Sequence, residues 1–304
     1  MLEIAIMIEG QNGLSWPSWQ AIVRLVEELG FVGLYRSDHF TNARPPDMDS
    51  LELWVSLTWL AAHTSRIEFG PLVTPFSFRH PALTARMAAA VDDLSGGRLT
   101  LGLGAGWQDR EHQLFGFDLL DLKDRSARFQ EGLECVTRLL QSSEPVTFHG
   151  RYFHLDGAQI LPRPQRPGGP RILVGGNGFQ QTLPLVARYA TEWNANFIGL
   201  TEFKRANQHL DGLLAAEGRA PDSVRRSLMT GCVFAKDARR LEKKLTARGR
   251  TRKELLEHGM LLGAGDEIKV QLKELSEAGV QRVMLQWLEL DDLDGLRDLA
   301  KVVL

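Results

Sequence analysis

In the stretch "GLYRSDHF" (33–40), an apolar run ends in Arg36, Ser37, Asp38 and His39. A histidine moves protons near neutral pH more readily than a carboxylate alone, which makes Asp38 and His39 candidates for acid–base work. The plainer reading is a capping Asp38 and a hydrogen-bonded loop residue at His39. "GLGAGW" (102–107) lacks side chains where a flat ligand would approach the backbone; tight packing between strands needs the same glycines. Trp107 stands where a dinucleotide-binding fingerprint has its last glycine, so the segment is not that fingerprint. "GGNGFQQT" (175–182) precedes a helical pattern, and free N–H groups at such a junction favour a phosphate; a simple strand-to-helix turn looks similar. "FGPLVTPFSFRHP" (69–81) places Pro71 in an apolar run, where the missing N–H predicts a bulge. Arg79 and His80 follow, facing either a site or a helix cap.

These segments fall at the ends of short β-type runs. Strands are expected at 2–8, 31–37, 66–74, 98–106, 171–176, 192–198, 227–235 and 280–288. Helical patterns separate them, at 18–30, 49–64, 81–96, 122–142, 180–190, 202–217, 267–279 and 292–303. In the first, Ala21, Ile22, Leu25, Val26 and Leu29 share a face and Gly30 is the stop; "WPSW" (16–19) puts Pro17 in its opening turn. Asp49 or Ser50 is the expected cap of the second. Eight such units predict a (β/α)8 TIM barrel as one domain over 1–304, with a doubly wound open sheet as the alternative. Insertions are expected near 146–170, as a hairpin and extended loop, and near 236–262. In the latter, Glu242, Glu254 and Glu257 interleave with basic residues, which reads as a solvated helical face. Functional groups of such barrels lie at the C-terminal ends of strands. Asp38 and His39, Thr74, Gly104 to Gly106, and Gly175 to Gly178 would therefore meet at one mouth, with Glu9 a further candidate.

The chain has 304 residues, 43% of them hydrophobic, and a formal charge of −2. That is ample for a full core and gives no reason to expect nucleic acid or an anionic membrane as partner. No apolar run reaches the roughly 18–20 residues that span a bilayer, and no leader pattern opens the chain. Cys135 and Cys232 sit in apolar contexts and read as buried reduced thiols of a cytoplasmic protein. No Cys/His spacing suggests a metal site, so the expected partner is a small-molecule substrate.

Longer segments carry a resemblance. "ELGFVGLYRSDHF", "RHPALTARMAAAVDDLSGGRLTLGLGAGWQDREHQLFGFD", "FHGRYFHL" and "PRPQRPGGPRILVGGNG", in this order, resemble the bacterial-luciferase-like oxidoreductases, in particular the branch using the deazaflavin coenzyme F420. The region 205–260 matches least. The resemblance implies a β/α barrel with insertions, a homodimer, and hydride transfer between deazaflavin and a small organic substrate. The flavin monooxygenases of the family, which use FMN and dioxygen, are the alternative. It implies that Asp38 contacts the coenzyme and His39 donates or accepts the proton. A non-prolyl cis peptide at Pro71–Leu72 would back the ring, Thr74 would hydrogen-bond it, and Ala105 and Gly106 would flank it. Gly175, Gly176, Asn177 and Gly178 would hold the phosphate. The family's sugar-phosphate dehydrogenases have an acid at the position of Trp107 and a tryptophan at that of Ala43, so that substrate is disfavoured here. Glu111 is a candidate replacement for the missing acid. Substrate contacts are expected from loops 40–48, 107–121 and 236–262, and the Leu/Trp-rich helix 49–64 is a candidate dimer surface.

Overall fold

The computed structural model describes residues 2–304. Its first half contains β1 (Glu3–Ile8), α1 (Trp16–Leu29), β2 (Gly33–Arg36), α2 (Leu53–His63), β3 (Glu68–Pro71), β4 (Thr74–Pro75), α3 (Pro81–Leu94), β5 (Thr100–Gly104), α4 (Asp109–Phe115), α5 (Leu122–Gln141), β6 (Val146–His149) and β7 (His154–Ala158). Then follow β8 (Arg171–Gly175), α6 (Leu183–Tyr189), β9 (Glu192–Asn196), α7 (Leu200–Ala216), β10 (Arg225–Ala235), α8 (Ala238–Arg248), α9 (Arg252–Glu257), β11 (Leu261–Ala264), α10 (Glu267–Glu277), β12 (Arg282–Gln286) and α11 (Leu293–Val303).

The large sheet runs in the order β3–β2–β1–β12–β10–β9–β8–β5–β4, with parallel pairings. Because β3 and β4 are two halves of one strand, the sheet curls round on itself. A bridge between Phe69 and Leu99 brings β3 against the start of β5. This is the (β/α)8 barrel, and all eight expected strands are present. Two layers, one inside the barrel and one between strands and helices, explain why. Ala5, Met7, Tyr35, Leu72, Leu173 and Met284 fill the barrel interior. The alternate strand residues, such as Ile4, Ile6 and Ile8, pack outward against helices. Each fully buried large apolar side chain contributes roughly 1.5–3 kcal/mol.

Local chemistry sets the element ends. Ser15 and Ser18 cap α1, with the Ser15 N–H donating to Ser18 Oγ at 3.0 Å, and Gly30 ends it at φ 99°. Helix α2 starts later than expected. Glu52, not Asp49 or Ser50, is its cap, accepting from the Val55 N–H at 2.7 Å. Ser50 is diverted: its hydroxyl donates to the His39 carbonyl at 2.6 Å.

Strand three breaks as Pro71 predicts, but one residue further on. The Leu72 N–H still donates to the Arg36 carbonyl at 2.8 Å, so the ladder holds through Leu72, and the cis peptide is Leu72–Val73 rather than Pro71–Leu72. Val73 then lies in a notch of glycines: a Cβ at Gly104 would sit 2.4 Å from it, and at Gly102 or Gly175 3.2 Å. Gly102 and Gly104 therefore serve strand packing.

Of the insertions, 146–170 contains the expected hairpin, β6 with β7. The other holds more than a helical face. β11 pairs in parallel with the end of β10, Cys232–Ala235, and α8 and α9 close a small apolar cluster over it. The strand "LLGA" is too short to signal itself in the sequence. No helix of the described residues is long and apolar enough to cross a membrane.

Candidate active site

A cavity of about 390 Å³ opens at the C-terminal ends of the strands. Asp38, His39, Leu72, Gly106 and Glu111 all line it; of the four segments expected to meet, those of Asp38 and His39 and of Gly106 do so, whereas Thr74 and Gly175 to Gly178 stay outside the lining. β2 delivers the first two at its end; α4 delivers Glu111, which is 1% exposed.

His39 is held from several sides. Its Nδ1 lies 2.8 Å from Glu111 Oε1, while Glu111 Oε2 accepts the Phe40 N–H at 2.9 Å. Gln108 Nε2 is 3.4 Å from the same ring nitrogen, and Trp107 meets the imidazole edge-on with ring centroids 5.6 Å apart. A carboxylate only accepts, so Nδ1 carries the proton, and Nε2 is the nitrogen left for the cavity. Burial pushes the imidazole down, but the hydrogen bond and charge of Glu111, with the charges of Glu9 and Asp38, leave it above the usual histidine value. Glu111 is thus not a freestanding replacement for the missing acid, since both oxygens are engaged. Its position, four residues beyond Trp107, was the only signal the sequence gave.

Asp38 is equally anchored. The Thr74 hydroxyl donates to its Oδ2 at 2.6 Å, and Arg79 bridges it to Glu52, reaching the latter at 2.9 Å. The open choice for "RHP" resolves both ways: Arg79 turns to the site acid, whereas His80 caps α3 by accepting the Ala82 N–H at 3.2 Å. Thr74 is 1% exposed and faces Asp38 rather than the cavity.

Glu9 lines the cavity too, its carboxylate accepting from Gln11 Nε2 at 2.9 Å and Gln286 Nε2 at 2.6 Å. Sequence reasoning missed Met7, Gln11, Ser37, Val73, Pro75, Asn196, Phe197 and Met229 as lining residues. They carry no distinctive chemistry, and only their places at strand ends point to them. Among the described residues, loops 40–48 and 236–262 supply none of the lining, contrary to expectation; 107–121 supplies Trp107 and Glu111.

The glycine segments divide. Gly106, at φ 85°, reaches the cavity, where a Cβ would lie 2.9 Å from Ser77 Oγ. Ala105 packs against the core instead. Gly175, Gly176, Asn177 and Gly178 do not line the cavity but adjoin it. The Asn177 side chain donates to the Asn196 carbonyl at 2.7 Å and accepts the Asn196 N–H at 3.1 Å. The Gly176 N–H is spent on the Asn194 carbonyl at 3.0 Å. Among the described residues, nothing accepts a hydrogen bond from the N–H groups of residues 177–181, so these are the free donors of the loop.

A parallel barrel with a histidine–glutamate pair, a broken third strand and a glycine turn after the fifth defines a class. The family model for luciferase-like monooxygenase matches residues 4–296, and the chain belongs to that family. It is 32% identical over 219 residues to an F420-dependent glucose-6-phosphate dehydrogenase of Kineococcus radiotolerans, covering 69% of this chain and 62% of that protein. It is 31% identical over 212 residues to a 4-hydroxyprotoasukamycin monooxygenase of Streptomyces nodosus subsp. asukaensis, covering 70% of this chain and 54% of that protein. The alignments thus span little more than half the length of these relatives. An F420-dependent secondary alcohol dehydrogenase, solved with an F420–acetone adduct, superposes with TM-score 0.85 at 17% identity, over 99% of this chain and 98% of that one.

Proposed function

We propose that the protein is an F420-dependent oxidoreductase that transfers hydride to or from a small organic substrate, with His39 supplying or taking the proton. The observation that carries this reading is His39 fixed through Nδ1 by buried Glu111, with Nε2 left for the cavity. The F420-dependent names among the relatives support the coenzyme.

The residues present fit a flat heterocycle with an anionic tail. Leu72 and Val73 form one apolar wall, Gly106 lines the cavity in a left-handed turn, and the 390 Å³ cavity is of ligand size. The unspent N–H groups of 177–181 are the donors for the phosphate. When bound, coenzyme F420 supplies a ring that gives or takes a hydride. His39 holds a proton at Nε2 and passes it to a carbonyl oxygen on reduction, or accepts it from a hydroxyl on oxidation. Glu111 keeps Nδ1 protonated in both states, so that Nε2 is the atom that gains and loses the proton, and it raises the proton affinity of the ring. Asp38, locked by Thr74 and Arg79, orients the ring by hydrogen bonding. The outer side of α2, where Val55 is 57% exposed and Trp59 meets Trp16 at 6.4 Å, is the proposed contact of a homodimer.

His39→Ala tests this reading. Turnover is expected to fall about 10²–10⁴-fold, with F420 affinity changed less than fivefold. Unchanged turnover removes His39 from the chemistry. The second reading, an FMN-dependent monooxygenase, is favoured by the monooxygenase among the relatives.

A further inference from the structure

We infer that the site selects uncharged substrates with an apolar body and rejects anionic ones, with Trp107 the surface that receives the body and Glu9 the charge that repels. The inference rests on the proposed hydride-transfer reading. Its evidence is the charge inventory of the cavity. Among the described residues, none of the lining side chains is lysine or arginine, and His39 is the only cation there. The two arginines nearest the wall are occupied elsewhere. Arg36 is buried and donates to Ser56 Oγ at 2.6 Å and the Leu51 carbonyl, and Arg79 is bound to Asp38 and Glu52. Arg110, beside the mouth, is paired with Asp47 at 2.6 Å.

Three carboxylates line the same space. Glu111 is answered by His39 and Asp38 by Arg79, but Glu9 receives hydrogen bonds only from the neutral amides of Gln11 and Gln286. A phosphate or carboxylate on the substrate would lose water and find no charged donor except His39, beside a Glu9 carboxylate that buried Arg36 offsets through space without bonding to it. Apart from Gln11, Ser37 and Asn196, the remaining side chains of the lining are apolar. Trp107 is 61% exposed and Phe197 44% exposed, both at the cavity, and Met7 and Met229 add adaptable surface. An exposed tryptophan set edge-on to the proton-carrying imidazole offers an apolar face beside the reacting group.

A matched pair of substrates tests this: methyl 4-oxocyclohexanecarboxylate and the free acid, which share one ketone and differ by one charge. With the F420-loaded enzyme, kcat/KM for the acid is expected to be at least about 30-fold lower, mostly through KM. Glu9→Gln is expected to narrow that ratio to within about fivefold. Trp107→Ala is expected to raise KM for both about tenfold and leave the ratio in place. An acid turned over within threefold of its ester overturns the inference, as does efficient turnover of a hexose 6-phosphate. Titrating the same pair against the coenzyme-free protein, followed by tryptophan fluorescence, separates the two levels. Ester binding without acid binding sustains the charge selection even where F420 does not bind. F420 binding without preference, or binding of neither compound, sinks the selection and leaves the coenzyme reading to its own test.

Discussion

The two ends of the barrel both bury charge, and they use it in opposite ways. At the base, Arg282, 1% exposed, lies 2.7 Å from Glu3, 2.8 Å from Glu68 and 3.7 Å from Glu192, and donates to the Tyr35 hydroxyl at 2.6 Å. Arg225 faces the same three acids. Burial pushes the Glu192 carboxyl up, and the surrounding arginines only partly offset it. Every charge there has an opposite charge within 4 Å, although neither oxygen of Glu192 accepts a hydrogen bond. At the mouth, Asp38 and Glu111 are answered, but Nε2 of His39 and the carboxylate of Glu9 face the cavity. The base also has the larger cavity, about 630 Å³ against 390 Å³. Size therefore does not mark the functional end. Place at the C-terminal ends of the strands does, together with a proton-carrying imidazole whose second nitrogen is left for the cavity.

The comparison is most easily broken at the base. Arg282→Met leaves three carboxylates to Arg225, with Arg171 pairing only Glu68 at 2.8 Å, and a loss of roughly 3–5 kcal/mol is expected from the urea midpoint. A loss under about 1 kcal/mol would show that the base is not a stabilising network.

A smaller effect sharpens the mouth. Glu111→Gln removes the charge that raises the His39 pKa, so the imidazole loses its proton at lower pH. The limb on which carbonyl reduction declines with rising pH is expected to move to lower pH. The stability linkage has the same sign. The stabilisation from the His39–Glu111 pair is fully present below the unfolded histidine value and fades as pH rises through the raised folded value. In Glu111→Gln that fading is lost. An unmoved profile of kcat against pH contradicts the positioning role of Glu111.

The strand count was legible because each barrel strand is a short apolar run followed by a helix of clear period. The break after Pro71 was legible from the missing N–H, though not its register, which depends on where the Arg36 carbonyl finds its partner. Asp38 and His39 stood out because polar residues closed an apolar strand. Their partners did not. Arg79, Glu111, Ser50 and Gln108 reach them across 11 to 72 positions of sequence, and only the barrel's closure brings them near. "GLGAGW" mixed two signals, since Gly102 and Gly104 serve Val73 and only Gly106 serves the cavity. The β10–β11 pairing lay hidden in a region read by its charges.

The most direct measurement is the titration of the purified protein with F420 and with FMN, followed by absorbance. F420 is expected to bind at least about tenfold more tightly, and its complex to transfer hydride without taking up oxygen. Tighter binding of FMN with oxygen uptake on reduction, or binding of neither coenzyme, contradicts the placement of a deazaflavin at this mouth.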